Sequence, residues 1–420
     1  MSEQVLQDET ASVVAADAAD ERLISNQGLG GALSAFLVRV RGGELGMIPV
    51  IVGLVVIAIV FQANEQTFLS SKNLVSMLQF AAPVGVISLG IVLVLLLGEI
   101  DLSVGSVSGF AAASMAVLMD SHGWGLLPAM LVGILVGTAI GLLYALLFTK
   151  IGVPSFVFSL AGLLAFQGAL LYVLGDKGTV VLPQDSGLRS FAREKFLTDV
   201  QAYVLLVVVV AVYVGVSMLT IRRRTAAWLT PPSLSLVLVK AGLLLVGMGY
   251  LTYYLGIDRG WGYLPVLFLA LVVVMDLALC RTRWGRHVFA VGGNEEAARR
   301  SGINVRGIYV SVFALTSTFA ALGGILIAGQ LTSVSQASGT TDTNLTAIAA
   351  AVIGGTSLFG GRGSAWAAAL GIIVLQAIQS GLNLMNVDSS VRFMTTGLVL
   401  LLAVAIDSVS RKARSSSGRG

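Results

Sequence analysis

Residues Leu74–Met119 read LVSMLQFAAPVGVISLGIVLVLLLGEIDLSVGSVSGFAAASMAVLM. From Leu74 to Leu97 this stretch carries no charged residue, and a bilayer crossing needs about 20 mostly apolar residues. The run stops at Gly98. Glu99 and Asp101 follow at once, and a second run rich in Gly, Ser and Ala resumes at Leu102. Backbone in hydrocarbon must satisfy its own hydrogen bonds, so both runs read as helices. Two acids between them must face water, a partner or backbone donors. Asp101 and Ser103 are placed to cap the helix that starts at Leu102. The break is therefore a capped joint or the lining of a cavity, and the chain around it is a helical membrane protein.

The same pattern recurs along the chain. Twelve apolar segments begin near Met47, Leu74, Leu102, Leu126, Ser155, Ala202, Leu234, Tyr263, Ile308, Asn344, Ala365 and Val391. The third and tenth, 102–119 and 344–359, are short and rich in small residues, so either could be broken or re-entrant. Ten to twelve crossings are expected, in an all-α polytopic integral membrane protein. Composition agrees. Of 420 residues 56% are hydrophobic and 11% charged, against about 25% charged in soluble domains. With both termini inside, the clusters Arg222–Arg224 and Arg281–Arg306 and the ending after Arg411 all fall on the cytoplasmic side, as the positive-inside bias requires. The expected organisation is a largely disordered cytoplasmic tail over 1–45, a transmembrane domain over 46–408 and a second cytoplasmic tail over 409–420. The domain includes an inner loop at 281–307 and a hairpin at 222–262.

Several classes are excluded. Residues 1–21 are acidic and Ala-rich, unlike a secretory signal. Cys280 is the single cysteine, so no disulfide forms within the chain. His122 and His287 are the only histidines, too few for a histidine metal centre, and no metal or cofactor is expected. The net charge of +4 needs no nucleic acid to explain it. No P-loop, HExxH or GxSxG motif occurs, so no catalytic residues are expected. A transporter of this composition must borrow its energy from a partner.

Two further motifs stand out. Ala290–Asn304, AVGGNEEAARRSGIN, places a good N-cap at Asn294, helix formers at Glu295–Ala298 and a natural stop at Gly302. That predicts a short helix on the inner face between two crossings. Ala351–Ser364, AVIGGTSLFGGRGS, predicts close helix packing followed by a tight turn. Polar residues within crossings are Gln79, Gln167, Asp276, Gln376, Gln379 and Asn383. The last three share one helix face, which looks onto either a pore or a dimer contact.

Together GEIDLSVGS (Gly98–Ser106), AVGGNEEAARRSGIN and AVIGGTSLFGGRGS resemble the sugar permeases of bacterial ABC importers, in the ribose/xylose/galactose group. The resemblance covers roughly 74–407. At Glu99 the family more often has glycine. The segment Arg222–Trp261, with Asp258-Arg259-Gly260, is similar to the D-xylose permeases of that group. The resemblance implies a bacterial inner-membrane location and a permease homodimer without an ATPase of its own. It also implies a periplasmic or lipid-anchored sugar-binding protein outside and a separate cytoplasmic ATPase inside. The residues that would couple to the ATPase are Asn294, Glu296, Ala297, Ala298 and Gly302. The residues expected along the sugar path are Gln79, Glu99, Asp101, Ser103, Ser106, Asn344, Gln376 and Gln379. Two alternatives stand beside this reading. One is an ion-coupled secondary transporter using Glu99, Asp101, Asp276 or Lys240. The other is a permease for branched-chain amino acids.

Overall fold

A computed structural model describes residues 47–227 and 231–392, with scattered positions between 394 and 405. The two expected tails and most of the crossing that begins near Val391 lie outside the described residues. Nearly every described segment is helical. The helices are α1 (Ile48–Asn64), α2 (Ser71–Leu96), α3 (Val104–His122), α4 (Leu126–Leu146) and α5 (Ser155–Leu174). They continue with α6 (Asp199–Ala226), α7 (Leu234–Gly256), α8 (Tyr263–Arg281), α9 (Arg283–Gly293), α10 (Glu295–Arg300) and α11 (Val305–Leu331), and close with α12 (Thr341–Ile353) and α13 (Ala365–Leu384). Among the described residues nine helices are long and apolar enough to span a bilayer, and α1 and α12 are shorter apolar helices. The chain is thus an all-α polytopic membrane protein. The exception is a two-stranded antiparallel ribbon that pairs β1 (Thr179–Val181) with β2 (Ser333–Ser335).

The two doubtful crossings resolve differently. α3 has 19 residues and is long and apolar enough to span. α12 has only 13 residues, about 20 Å of helix, short of a hydrocarbon core of about 30 Å. It is a half-helix, reached through the turn that follows β2.

The chain divides into two compact units, one of them containing 197–260 and the other 47–196 with the chain from 261 onward. In the first, α6 opens with a capping box, in which Thr198 and Gln201 bond each other's backbone amides. α6 packs against α7, and both expose apolar side chains such as Val204, Val208, Val212, Leu243 and Val246, as a bilayer demands. In the second unit α11 is the hub, packed against α2, α3 and α4. Lipid offers no hydrophobic drive for helices to associate, so close packing and interhelical hydrogen bonds must hold them. Thr316 Oγ1 donates to the Gly90 carbonyl at 3.0 Å. At Gly90 an added Cβ would stand 2.8 Å from the Thr316 carbonyl oxygen, so glycine sets that helix spacing.

Candidate functional site

The end of α2 at Leu96 leaves backbone groups unpaired, and two other segments meet them there. Gly361 N–H donates to the Leu96 carbonyl at 2.8 Å. Gly292, near the end of α9, approaches the same carbonyl so closely that an added Cβ would overlap it, and would stand 2.9 Å from Gly361 N. Gly360, at φ 81°, lies against the Gly292 carbonyl and Gly98 N. Its turn is closed by Ser357 N–H donating to the Arg362 carbonyl at 3.0 Å. The three sequence blocks, far apart in the chain, therefore join backbone to backbone. No side chain intervenes, so a displacement of one segment is passed on by contacts that cannot yield.

Directly after this joint the chain passes the acidic break. Asp101 is 1% exposed. Its Oδ1 accepts from the Ser103 amide at 2.8 Å and from Ser103 Oγ at 2.7 Å. Tyr144 O–H donates to Ser103 Oγ at 2.7 Å, and Ser106 Oγ donates to the Ser103 carbonyl. From α12, Asn344 Nδ2 donates to the Leu102 carbonyl at 2.5 Å. The first turns of α3 and α12 thus lie side by side, with Gly105 against the carbonyls of Gly339 and Thr340. A buried carboxylate beside helix N-termini meets the positive end of their dipoles, which offsets the cost of keeping an acid there. Asp101 Oδ2 and Asn344 Oδ1 have no hydrogen-bond partner among the described residues.

Two expectations change here. The helix begins at Val104, and Ser103, its N-cap, makes no side-chain cap bond. Asp101, two residues earlier, instead holds the amide and hydroxyl of that N-cap residue. The residues expected along the sugar path also separate. Asp101, Ser103, Ser106 and Asn344 lie together in one hydrogen-bonded joint, which borders neither cavity described below. Tyr144 belongs to that joint, and a lone tyrosine in an apolar helix gave no signal of it in the sequence. Glu99 is half-buried outside the spanning helices, with its carboxylate bonded to the Ser155 hydroxyl. Partial burial pushes its pKa up, the Ser155 bond opposes this, and the negative charge of Glu295 adds to the rise.

α10 lies beside the joint, following α9. Asn294 caps it as expected, its Oδ1 accepting from Ala297 N at 2.9 Å. The helix ends at Arg300, and Gly302 turns the chain at φ 79°. Ala298 is buried, whereas Glu296, Ala297 and Gly302 are exposed. Glu295 pairs with Arg299 and accepts from Tyr309 O–H at 3.1 Å. An open cavity of about 470 Å³ runs along this edge, with Glu295, Arg299, Asn304, Arg306 and Tyr309 on its walls. The arginines mark this end of the bundle as cytoplasmic.

A second cavity, of about 210 Å³, lies between the opposite end of α2 and the second half of α13. Gln376 and Asn383 border it and Gln379 does not. Gln79 points elsewhere: it is 6% exposed, packed against Gly262, with both amide atoms unpartnered among the described residues.

Comparison with known proteins places the sequence in a family. Residues 73–404 match the family described as branched-chain amino acid transport system / permease component. The chain is 32% identical to the xylose transport system permease protein XylH of Escherichia coli (strain K12), over 83% of this chain and 88% of that protein. It is 33% identical to XylH of Haemophilus influenzae, over 85% and 94%. It is 29% identical to the ribose import permease protein RbsC of Bacillus subtilis (strain 168), over 84% and 90%. No solved structure matches the chain.

Proposed function

Because this chain belongs to the ABC-type sugar permeases of that family, multi-pass proteins of the bacterial inner membrane, we propose that it is the permease subunit of an ATP-driven importer of a monosaccharide, D-xylose first. One observation carries the mechanism: the exposed helix α10 follows directly on the glycine joint at Leu96, Gly292 and Gly361. A cytoplasmic ATPase that grips α10 through Glu296 and Ala297 would push α9. Gly292 would pass the push to the end of α2 and to the turn that links α12 to α13. Those elements would shift against α11 and open the path alternately to either side. Energy comes from the ATPase, because the sequence carries no nucleotide-binding loop. A sugar-binding protein delivers the substrate outside, and two copies of the chain enclose the path.

The similarity to XylH proteins supports xylose, and the segment 222–262 is part of that likeness. The test is uptake in a strain lacking its own pentose and hexose permeases, supplied with this chain, an ATPase and a binding protein. Labelled D-xylose should enter, and uptake should stop when the ATPase is inactivated. Uptake that survives ATPase loss but collapses with an uncoupler would overturn the ATP-driven reading. Leucine that competes as well as xylose would overturn the sugar reading.

A further inference from the structure

The cavity between α2 and α13 has a composition that helix packing alone does not require. Asn73, Ser76, Phe80, Gln376, Ser380 and Asn383 all border it. Some of these groups are already engaged. Ser380 Oγ donates to Asn73 Oδ1 at 2.8 Å, and Asn73 Nδ2 donates to the Phe68 carbonyl at 2.7 Å. Arg392 reaches back from beyond α13 and donates to Asn383 Oδ1. Gln376 and Ser76 are different. Both are half-buried, and neither side chain makes a hydrogen bond among the described residues.

Their depth makes this informative. Gln376 lies eleven residues into α13, about 16 Å along the helix and so near the middle of a hydrocarbon core of about 30 Å. A free carboxamide at that depth cannot face acyl chains without a large cost, and Ser76, five residues into α2, stands beside it nearer the helix end. The carboxamide must look onto water, a solute or protein. The groups that border the cavity are neutral hydrogen-bonding donors and acceptors, with the Arg392 guanidinium bonded to Asn383 Oδ1 at one edge, and Phe80 adds a half-exposed aromatic face (50%) beside them. Polar groups placed around an aromatic wall suit a small polyhydroxylated molecule rather than an ion or a zwitterion. The volume has room for about seven waters, the scale of one monosaccharide.

We propose that this cavity is a sugar-contact site on the translocation path, with Gln376 and Ser76 as its hydrogen-bonding groups, Phe80 as its stacking surface and a second copy of the chain on its open side. The site lies at the end of α2 remote from the glycine joint. Asn73 and Leu96 are 23 residues apart on one helix, about 35 Å. The same helix, with Pro83 inside it, therefore touches the sugar at one end and the force-receiving joint at the other. This inference rests on the sugar-permease reading and specifies where that sugar is held.

The experiment uses the complete importer in membrane vesicles. Cys280, the only native cysteine, is replaced by serine, and Gln376→Cys or Ser76→Cys is introduced singly. A small membrane-impermeant thiol reagent should label both sites, and D-xylose or ribose, but not leucine, should slow labelling. In the native background Gln376→Leu should raise the apparent KM for uptake about tenfold, and Gln376→Glu, which keeps the shape, should show whether folding is the cause. Labelling that ignores sugar while the importer still transports would overturn the site and leave the permease reading intact. So would a sugar-independent cross-link between Gln376→Cys in two copies, which would make the seam a plain dimer contact. Loss of all sugar uptake by the unsubstituted importer would instead count against the permease reading.

Discussion

The amide of Gly361 donates a 2.8 Å hydrogen bond to the carbonyl of Leu96, and Gly292 sits against that same carbonyl. Three segments thus share one acceptor with no side chain between them. Gly292→Ala forces a methyl into backbone that cannot move aside, an overpacking cost of about 1–3 kcal/mol. Uptake should fall severely while the protein still inserts. Gly293→Ala is the control, since an added Cβ there meets nothing within 4 Å. Equal uptake in the two variants would remove the joint from the mechanism.

The acidic break should behave as a structural joint. Asp101→Ala leaves the buried Ser103 amide and hydroxyl without their acceptor, at a cost of about 1–3 kcal/mol. Tyr144→Phe removes one hydrogen bond to Ser103 and should cost about 1 kcal/mol. Thermal unfolding of the detergent-solubilised protein should rank the native chain above Tyr144→Phe and Tyr144→Phe above Asp101→Ala. An Asp101→Ala protein as stable as the native one, with altered sugar affinity, would make Asp101 a substrate contact instead.

For α10 the expectation is the reverse: function without stability. Glu296 is exposed and pairs only with exposed Arg299 and Arg300, and surface pairs contribute about 0–1 kcal/mol. Glu296→Ala should leave the unfolding temperature almost unchanged while lowering co-purification of the ATPase and uptake together. Intact uptake in that variant would sink the coupling assignment.

Glu99 gives a pH dependence with a definite sign. Its carboxyl titrates above the ordinary value of 4.5 because partial burial disfavours the charged form. The folded state therefore binds the proton more tightly than the unfolded one. The stability this gives is present below about pH 4.5 and is lost as pH rises through the raised pKa. Glu99→Gln removes that loss, so it should unfold at a higher temperature than the native chain at neutral pH and at about the same temperature in acid. A gap that widens in acid would refute the assignment.

Much of the fold was legible in the sequence. Apolar run length alone placed α2, α4, α5, α7, α8 and α13, because a backbone in hydrocarbon has no alternative to the helix. The short inner helix was legible too, since Asn294 and Gly302 are local signals for a cap and a stop. The extent of α12 was not. Its apolar length resembled a weak crossing, and only the backbone route past Gly339 and Gly105 makes it a half-helix.

The site residues divide along the same line. Run length, capping residues and glycine blocks act within a few turns, so the sequence determined a helical membrane protein with a polar break, an inner helix and a glycine turn. It could not determine that Leu96, Gly292 and Gly361 meet, that Tyr144 closes over Ser103, or that Gln376 and Ser76 border one cavity that Gln79 and Gln379 do not. Those relations depend on how helices distant in sequence rotate and cross. In lipid that is settled by close packing and interhelical hydrogen bonds rather than by hydrophobicity, so only the tertiary structure could decide them.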